Sequence, residues 1–345
     1  MLWALVMAGG WGTRLWPLSN RNCPKPLLKL IPGRDTLLGE TIKRLSPLIP
    51  PSRIFIIGNA EQLKGLRKSA SRVPRSQIIG EPVSRNTAAT VALGASMILK
   101  RDPQALMLTL PADHWVSNRG GFQKTIREAA HYSDEHEQFC VFGAKPNFPS
   151  AAYGYILMGK KRAPSIYELK QFIEKPPLEL AKKFVRSGKY LWHAGIFLAS
   201  AANILASVVR LAPELARGVS KIKIKTGKLI NPRAFYALPN ISFDYAVLEK
   251  IHNATVIKTG FDWCDVGTWG AMERVWPQDK AGNSIFAKCT SLDSSGNVVY
   301  SEDKLVFLQG IKDLVIIDSP DTLFIGRKDA GEKMRDVVRK VEGKS

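Results

Sequence analysis

Residues 7–25 read MAGGWGTRLWPLSNRNCPK, and the run Leu2 to Met7 that leads into them is apolar throughout. A short apolar run that ends in glycines is the pattern of a strand buried on both faces. Its carboxyl end is where open α/β sheets bind ligands. The turn holds Ala8, Gly9, Gly10, Gly12 and Thr13, and two cations, Arg14 and Lys25, follow. Glycines let backbone N–H groups approach an anion closely, so the stretch has the makings of a phosphate cradle. It is neither Gly-x-x-x-x-Gly-Lys-Ser/Thr nor Gly-x-Gly-x-x-Gly. On these residues alone, Gly9 and Gly10 read equally as a plain tight turn, and Lys25 as a solvated surface lysine.

Working outward, Arg53 to Gly58 and Ala105 to Leu110 are further buried-strand patterns. Thr36 to Leu45 and Asn86 to Lys100 are helical, the second with Ala88, Val91, Ala92, Ala95 and Leu99 near a 3.6-residue period. Alternating strands and helices in the first half argue for a parallel α/β sheet. Strand-like pieces between Tyr153 and Leu198, then helical stretches through Arg217, continue the same domain. Beyond Trp269, strands at Asn297–Tyr300, Leu305–Gln309, Leu314–Ile317 and Thr322–Gly326 are spaced by turn residues. They predict a small β-rich domain closed by a helix from Asp329, without an internal repeat of solenoid period. The expected domains are 1–275 and 276–345.

At 345 residues and 45% hydrophobic, the chain can bury a sizeable core. No apolar run is long enough to cross a bilayer and no signal peptide is evident, so no membrane association is expected. Cys23, Cys140, Cys264 and Cys289 are scattered, which indicates neither a zinc site nor a disulfide framework and fits a reducing, cytoplasmic setting. The net charge of +20 suits a solvated basic surface, attraction of anionic small substrates, or a nucleic-acid footprint. The basic residues are spread along the chain, and the densest run, Lys221 to Lys228, lacks interleaved aromatics for stacking bases. Nucleic acid is therefore not an expected partner.

The string Gly-Gly-x-Gly-x-Arg-Leu-x-Pro-Leu-Ser followed by Pro24-Lys25 resembles the signature of the sugar nucleotidyltransferases. Further matches are Glu81-Pro82 with Arg85-Asn86-Thr87-Ala88, Asp113-His114, Tyr153-Gly154-Tyr155-Ile156, Phe172 to Pro176, Ser242 to Glu249 and Trp263 to Trp269. This ordered set covers nearly the whole chain and is similar to the mannose-1-phosphate guanylyltransferases. The resemblance implies an α/β fold, a Rossmann-like mixed sheet flanked by helices of the glycosyltransferase-A-like kind. It also implies transfer of GMP from GTP to α-D-mannose 1-phosphate with Mg2+. In it Arg14 grips the triphosphate, Lys25 stabilises charge at the α-phosphate, Asp113 and Asp265 bind the metal, and Glu174 and Lys175 seat the sugar phosphate, with Gly154 offering backbone. A homodimer through the β-rich end rests on the resemblance alone.

The residues themselves leave alternatives beside these roles. Asp113, just after an apolar strand, is equally a turn cap, and Asp265 alone is a turn residue. Glu174 and Lys175 read as adjacent, opposite-facing strand residues or as a surface ion pair. Asn86 and Thr87 serve a nucleotide or cap the following helix. A carboxylate such as Glu81 suits the paired donors of guanine, where uracil and thymine offer one donor between two acceptors. The chain has Trp192-His193-Ala194-Gly195 where the family usually has Trp-Asn-x-Gly, which bears on the identity of the sugar. The long relatives' isomerase domain is not matched before Ser345, so no isomerase activity is expected. Another base or sugar, or a non-catalytic GDP-mannose-binding relative, are the competing functions.

Overall fold

A computed structural model describes residues 1–341 other than 32 and 226, together with residue 343. The chain divides into two compact units. The first comprises Met1–Gly9, Ile42–Ala112 and Val116–Trp263, and the second Gly10–Thr41, Asp113–Trp115 and Cys264–Ser345. Among the described residues no helix is long and apolar enough to cross a membrane.

In the first unit β1 (Leu2–Ala8), β2 (Ile54–Asn59), β3 (Ile78–Glu81) and β4 (Leu106–Pro111) run parallel, as their continuous apolar character requires. Their order is β3-β2-β1-β4, with the direction of winding reversing between β1 and β4. Strand Tyr190–Ser200 joins β4 antiparallel, and 139–144, 254–258, 166–173 and 155–163 follow, so the described sheet has nine strands and is mixed. Helix Asn86–Leu99 covers the parallel half. Its buried residues include Ala88, Ala89, Val91, Ala92 and Ala95, small side chains that let the helix lie close to Leu5, Phe55 and Met107 in the same core. Full burial of a leucine or phenylalanine there is worth about 1.5–3 kcal/mol.

The second unit is built on strands Ser284–Leu292, Val298–Gln309, Leu314–Ser319 and Thr322–Arg327. The first three pair parallel and the last antiparallel. Two expectations change here. Asn297–Tyr300 and Leu305–Gln309 belong to one strand, whose register shift is taken up around Ser301 to Lys304, a polar stretch that imitates a turn. The chain also coils on itself in parallel layers where no repeat was visible, because the layers are unequal: Asn283 bonds Asn297 across 14 residues, while Asn297 bonds Leu314 across 17. Segment Gly10–Thr41 packs in this unit, with Leu15, Leu28, Leu30 and Leu37 sharing a core with Trp269, Trp276, Tyr300, Ile317 and Val338. Trp269 and Trp276 donate their indole N–H groups to the carbonyls of Trp16 and Leu30.

Asn297 is fully buried; its amide donates to Asn283 and to the Ile311 carbonyl and accepts from the Leu314 N–H. Leaving buried partners unpaired costs about 1–3 kcal/mol each. Asn297→Ala is expected to lower unfolding stability by about 2–5 kcal/mol in denaturant titrations; a change within about 0.5 kcal/mol would show that the ladder does not hold the coils.

Candidate active site

The loop after β1 enters the second unit at Gly10 and makes a one-turn helix at Thr13–Leu15, which holds Arg14 half-buried. Gly12 has φ 71°, and a Cβ there would stand 2.3 Å from Lys25 Cβ, so only glycine lets the loop close over this lysine. The Lys25 side chain is 9% exposed, not solvated. Its Nζ lies 3.0 Å from Asp113 Oδ2 and donates to the Asp265 carbonyl at 2.5 Å. Burial opposes charge on Asp113, but the Lys25 ammonium and then His114 outweigh it, and the carboxyl is held below its ordinary pKa. Asp265 is placed by a tight bend: Gly267 N–H donates to its Oδ1 at 3.1 Å, and Val266 sits at φ 52°. A β-branched residue in the left-handed region is strained, and such strain persists only where the surroundings impose it.

Among the described residues no group of three or more His, Cys, Asp and Glu forms a ready metal cluster. Asp113 and Asp265 are two hard carboxylate donors, one of them kept ionised. That set fits an ion such as magnesium, which takes one or two carboxylates and completes its shell with water and phosphate oxygens.

In the first unit Ala8 ends β1 buried, and Gly9 follows with Glu81 Oε2 placed 3.7 Å from where its Cβ would be. Glu81 closes β3, is 4% exposed and accepts from Thr90 Oγ1 at 2.6 Å. Burial pushes its pKa up to about 7, against the Thr90 hydrogen bond. Thr90 was not singled out by sequence; it is one of three hydroxyl residues, with Thr87 and Ser96, in a largely apolar helix, and nothing in the pattern distinguished it. Asn86 lies at φ 60° and its side chain accepts the Thr87 N–H. The Thr87 hydroxyl accepts the Phe243 N–H at 2.8 Å, fixing the segment that carries Asp244.

Gly154, Glu174, Lys175 and His193 come together in this unit. A Cβ on Gly154 would meet Glu174 Oε2 at 2.6 Å and His193 Cβ at 3.3 Å, so glycine is required by close approach. Glu174 and Lys175 do not face opposite ways. Lys175 has φ 48°, which ends the strand alternation and brings its Nζ to 2.7 Å from Glu174 Oε1. Glu174 is pushed up in pKa by burial and by Asp244, against Lys175. His193 is buried, with Nε2 3.3 Å from Asp244 Oδ1. Asp244 lay inside a quoted motif but carried no expected role.

The chain matches the Nucleotidyl transferase family over residues 3–281 and the MannoseP isomerase/GMP-like beta-helix domain over 288–341. It is 35% identical to a mannose-1-phosphate guanylyltransferase of Sinorhizobium fredii, over 97% of this chain and 67% of that protein. It is 36% identical to one of Escherichia coli, over 99% of this chain and 74% of that protein. Among solved structures, the protein described as mannose-1-phosphate geranyltransferase from Thermus thermophilus superposes with a TM-score of 0.89 at 33% identity, covering 99% of both chains. Glycine loop, buried lysine and paired aspartates thus occur in a chain that belongs to the nucleotidyl transferase family, among its mannose-1-phosphate guanylyltransferases.

Proposed function

We propose that this protein transfers GMP from GTP to α-D-mannose 1-phosphate, giving GDP-mannose and pyrophosphate. The observation that carries the reading is the buried Lys25 ammonium held between Asp113 and Asp265, in a chain with guanylyltransferase relatives along its length. A sugar phosphate oxygen attacks the α-phosphorus, a new P–O bond forms, and the bond to the β-phosphate oxygen breaks to release pyrophosphate. Two anions must meet, so positioning and positive charge do most of the work and no protein nucleophile is needed. Arg14 grips the triphosphate, and backbone N–H groups from Ala8 to Thr13 face its oxygens. Lys25 offsets charge around the α-phosphate. Asp113 and Asp265 would hold magnesium, which when bound would supply further positive charge to the phosphates.

Base selection falls to Glu81, whose carboxylate accepts from guanine N1–H and N2–H, with Asn86 and Thr87 nearby in sequence. Sugar phosphate binding falls to Lys175 for the phosphate and to Glu174 and the Gly154 backbone for the hydroxyls, with His193 behind them. A homodimer is part of this proposal only as a family trait.

Pyrophosphate release measured for four nucleoside triphosphates against several sugar 1-phosphates should be highest for GTP with mannose 1-phosphate. Activity confined to UTP or dTTP with glucose 1-phosphate would overturn the reading. Lys25→Met and Asp265→Asn should each lower kcat by about 10²-fold or more, as loss of a transition-state charge contact does; turnover at wild-type levels would remove them from these roles.

Glu81 adds a pH signature. With its pKa near 7, the carboxylate that guanine needs is lost as pH falls through 7, so KM for GTP should rise below that point and level off above it. Its folded pKa exceeds the ordinary value of 4.5, so Glu81 costs the fold stability progressively from about pH 4.5 to 7. Above that the cost is on the order of 3 kcal/mol. Glu81→Gln should therefore be more stable at pH 8 yet bind GTP more weakly, with a flat KM profile; a wild-type profile in this variant would contradict the assignment.

A further inference from the structure

His193 is expected to contact the sugar, yet its side chain is only 5% exposed, and its Nδ1 is buried without a hydrogen-bond partner among the described residues. The ring is walled in on one side by Phe172, whose centroid is 5.1 Å away in an edge-on arrangement. Its polar contact is through Nε2, 3.3 Å from Asp244 Oδ1, while the Asp244 side chain is 22% exposed. The reachable group of the pair is thus the carboxylate.

We infer that Asp244 is a further sugar-binding residue, accepting ring hydroxyls of the sugar phosphate beside Glu174, and that His193 is the positioning residue that aims it. This rests on the functional reading above. The backbone of Asp244 is fixed independently. Ser242 Oγ accepts the Tyr245 N–H at 3.2 Å, Phe243 N–H donates to Thr87, and the Phe243 ring stacks on Phe197 at 4.8 Å. With the backbone set, the carboxylate still has rotamers to choose among, and an N–H from buried His193 selects one. An N–H held toward a carboxylate makes Nε2 the donor of the pair.

The charges around Asp244 suit an acceptor. Burial opposes its ionisation, but the hydrogen bond and charge of His193, then Lys175, outweigh it and hold its pKa low. Glu174 is moved the other way by burial and by Asp244 itself, so the two carboxylates are unequal acceptors. Lys175 acts on both and feels Tyr245 as well. Two carboxylates can each accept a hydrogen bond from one hydroxyl of a vicinal diol, while Lys175 remains for the phosphate. Where the family usually has an amide this chain has His193, and its polar contact is the Asp244 carboxylate.

The test uses the full-length protein, with KM for sugar phosphate and for GTP measured separately. Asp244→Asn should raise KM for mannose 1-phosphate about tenfold and leave KM for GTP within about twofold. His193→Phe should do the same, His193→Gln should rescue most of the loss by keeping an N–H, and the double variant His193→Phe with Asp244→Asn should be no worse than either single one. Fluorine accepts but does not donate, so one analogue in a series with a single ring hydroxyl replaced by fluorine should lose affinity for the wild type and lose none further for Asp244→Asn. Additive losses, an equal rise in KM for GTP, or an analogue profile unchanged by Asp244→Asn would make Asp244 structural and overturn the inference. If the wild type used a different sugar phosphate, the functional reading would fall while this test ran unchanged on that sugar.

Discussion

Burying the Lys25 ammonium alone would cost several kcal/mol, and the chain offsets that cost with the Asp113 carboxylate at 3.0 Å and the Asp265 carbonyl at 2.5 Å. The three residues come one each from the three stretches, 10–41, 113–115 and 264–345, that make up the second unit. The contact that gathers those stretches holds a buried cation against one carboxylate and one backbone carbonyl, and in the proposed function it serves phosphate chemistry. Its local geometry is enforced from several sides. Gly12 leaves no room for a side chain over Lys25, Val266 is held at positive φ, and the Gly267 N–H orients Asp265.

The first unit separates its carboxylates by environment. Glu81 and Glu174 are raised by burial, Glu81 in spite of a hydroxyl donor and Glu174 in spite of an adjacent ammonium. Asp244 is kept low because His193 stands against it. Such separation lets neighbouring acids do different tasks at one pH. In the proposed function Glu81 senses the base, and in the inference built on it Asp244 stays an acceptor for the sugar.

Much of this was legible in the sequence where local physics leaves few choices. Apolar runs marked three of the four parallel strands, β1, β2 and β4, while the short β3 went unread, and Asp113 falls two residues beyond the end of β4. The partners were less legible, because a hydrogen bond such as Thr90 to Glu81 or an ion pair such as His193 to Asp244 depends on which segments fold together. Glu174 and Lys175 were placed on opposite faces by strand alternation, and one left-handed residue reversed that. The coils of the second unit escaped detection because their layers differ in length and their register is kept by buried asparagines, not by a periodic apolar pattern.

In the proposed function, charge and positioning carry direct transfer between the two substrates, with Lys25 as the principal protein cation and no covalent intermediate. The stereochemical course at the α-phosphorus tests it most directly. With GTP carrying sulfur at one non-bridging α-position in a single configuration, in-line attack by mannose 1-phosphate predicts a product inverted at phosphorus. Retention would mean two successive displacements through a guanylylated side chain, and would contradict the account.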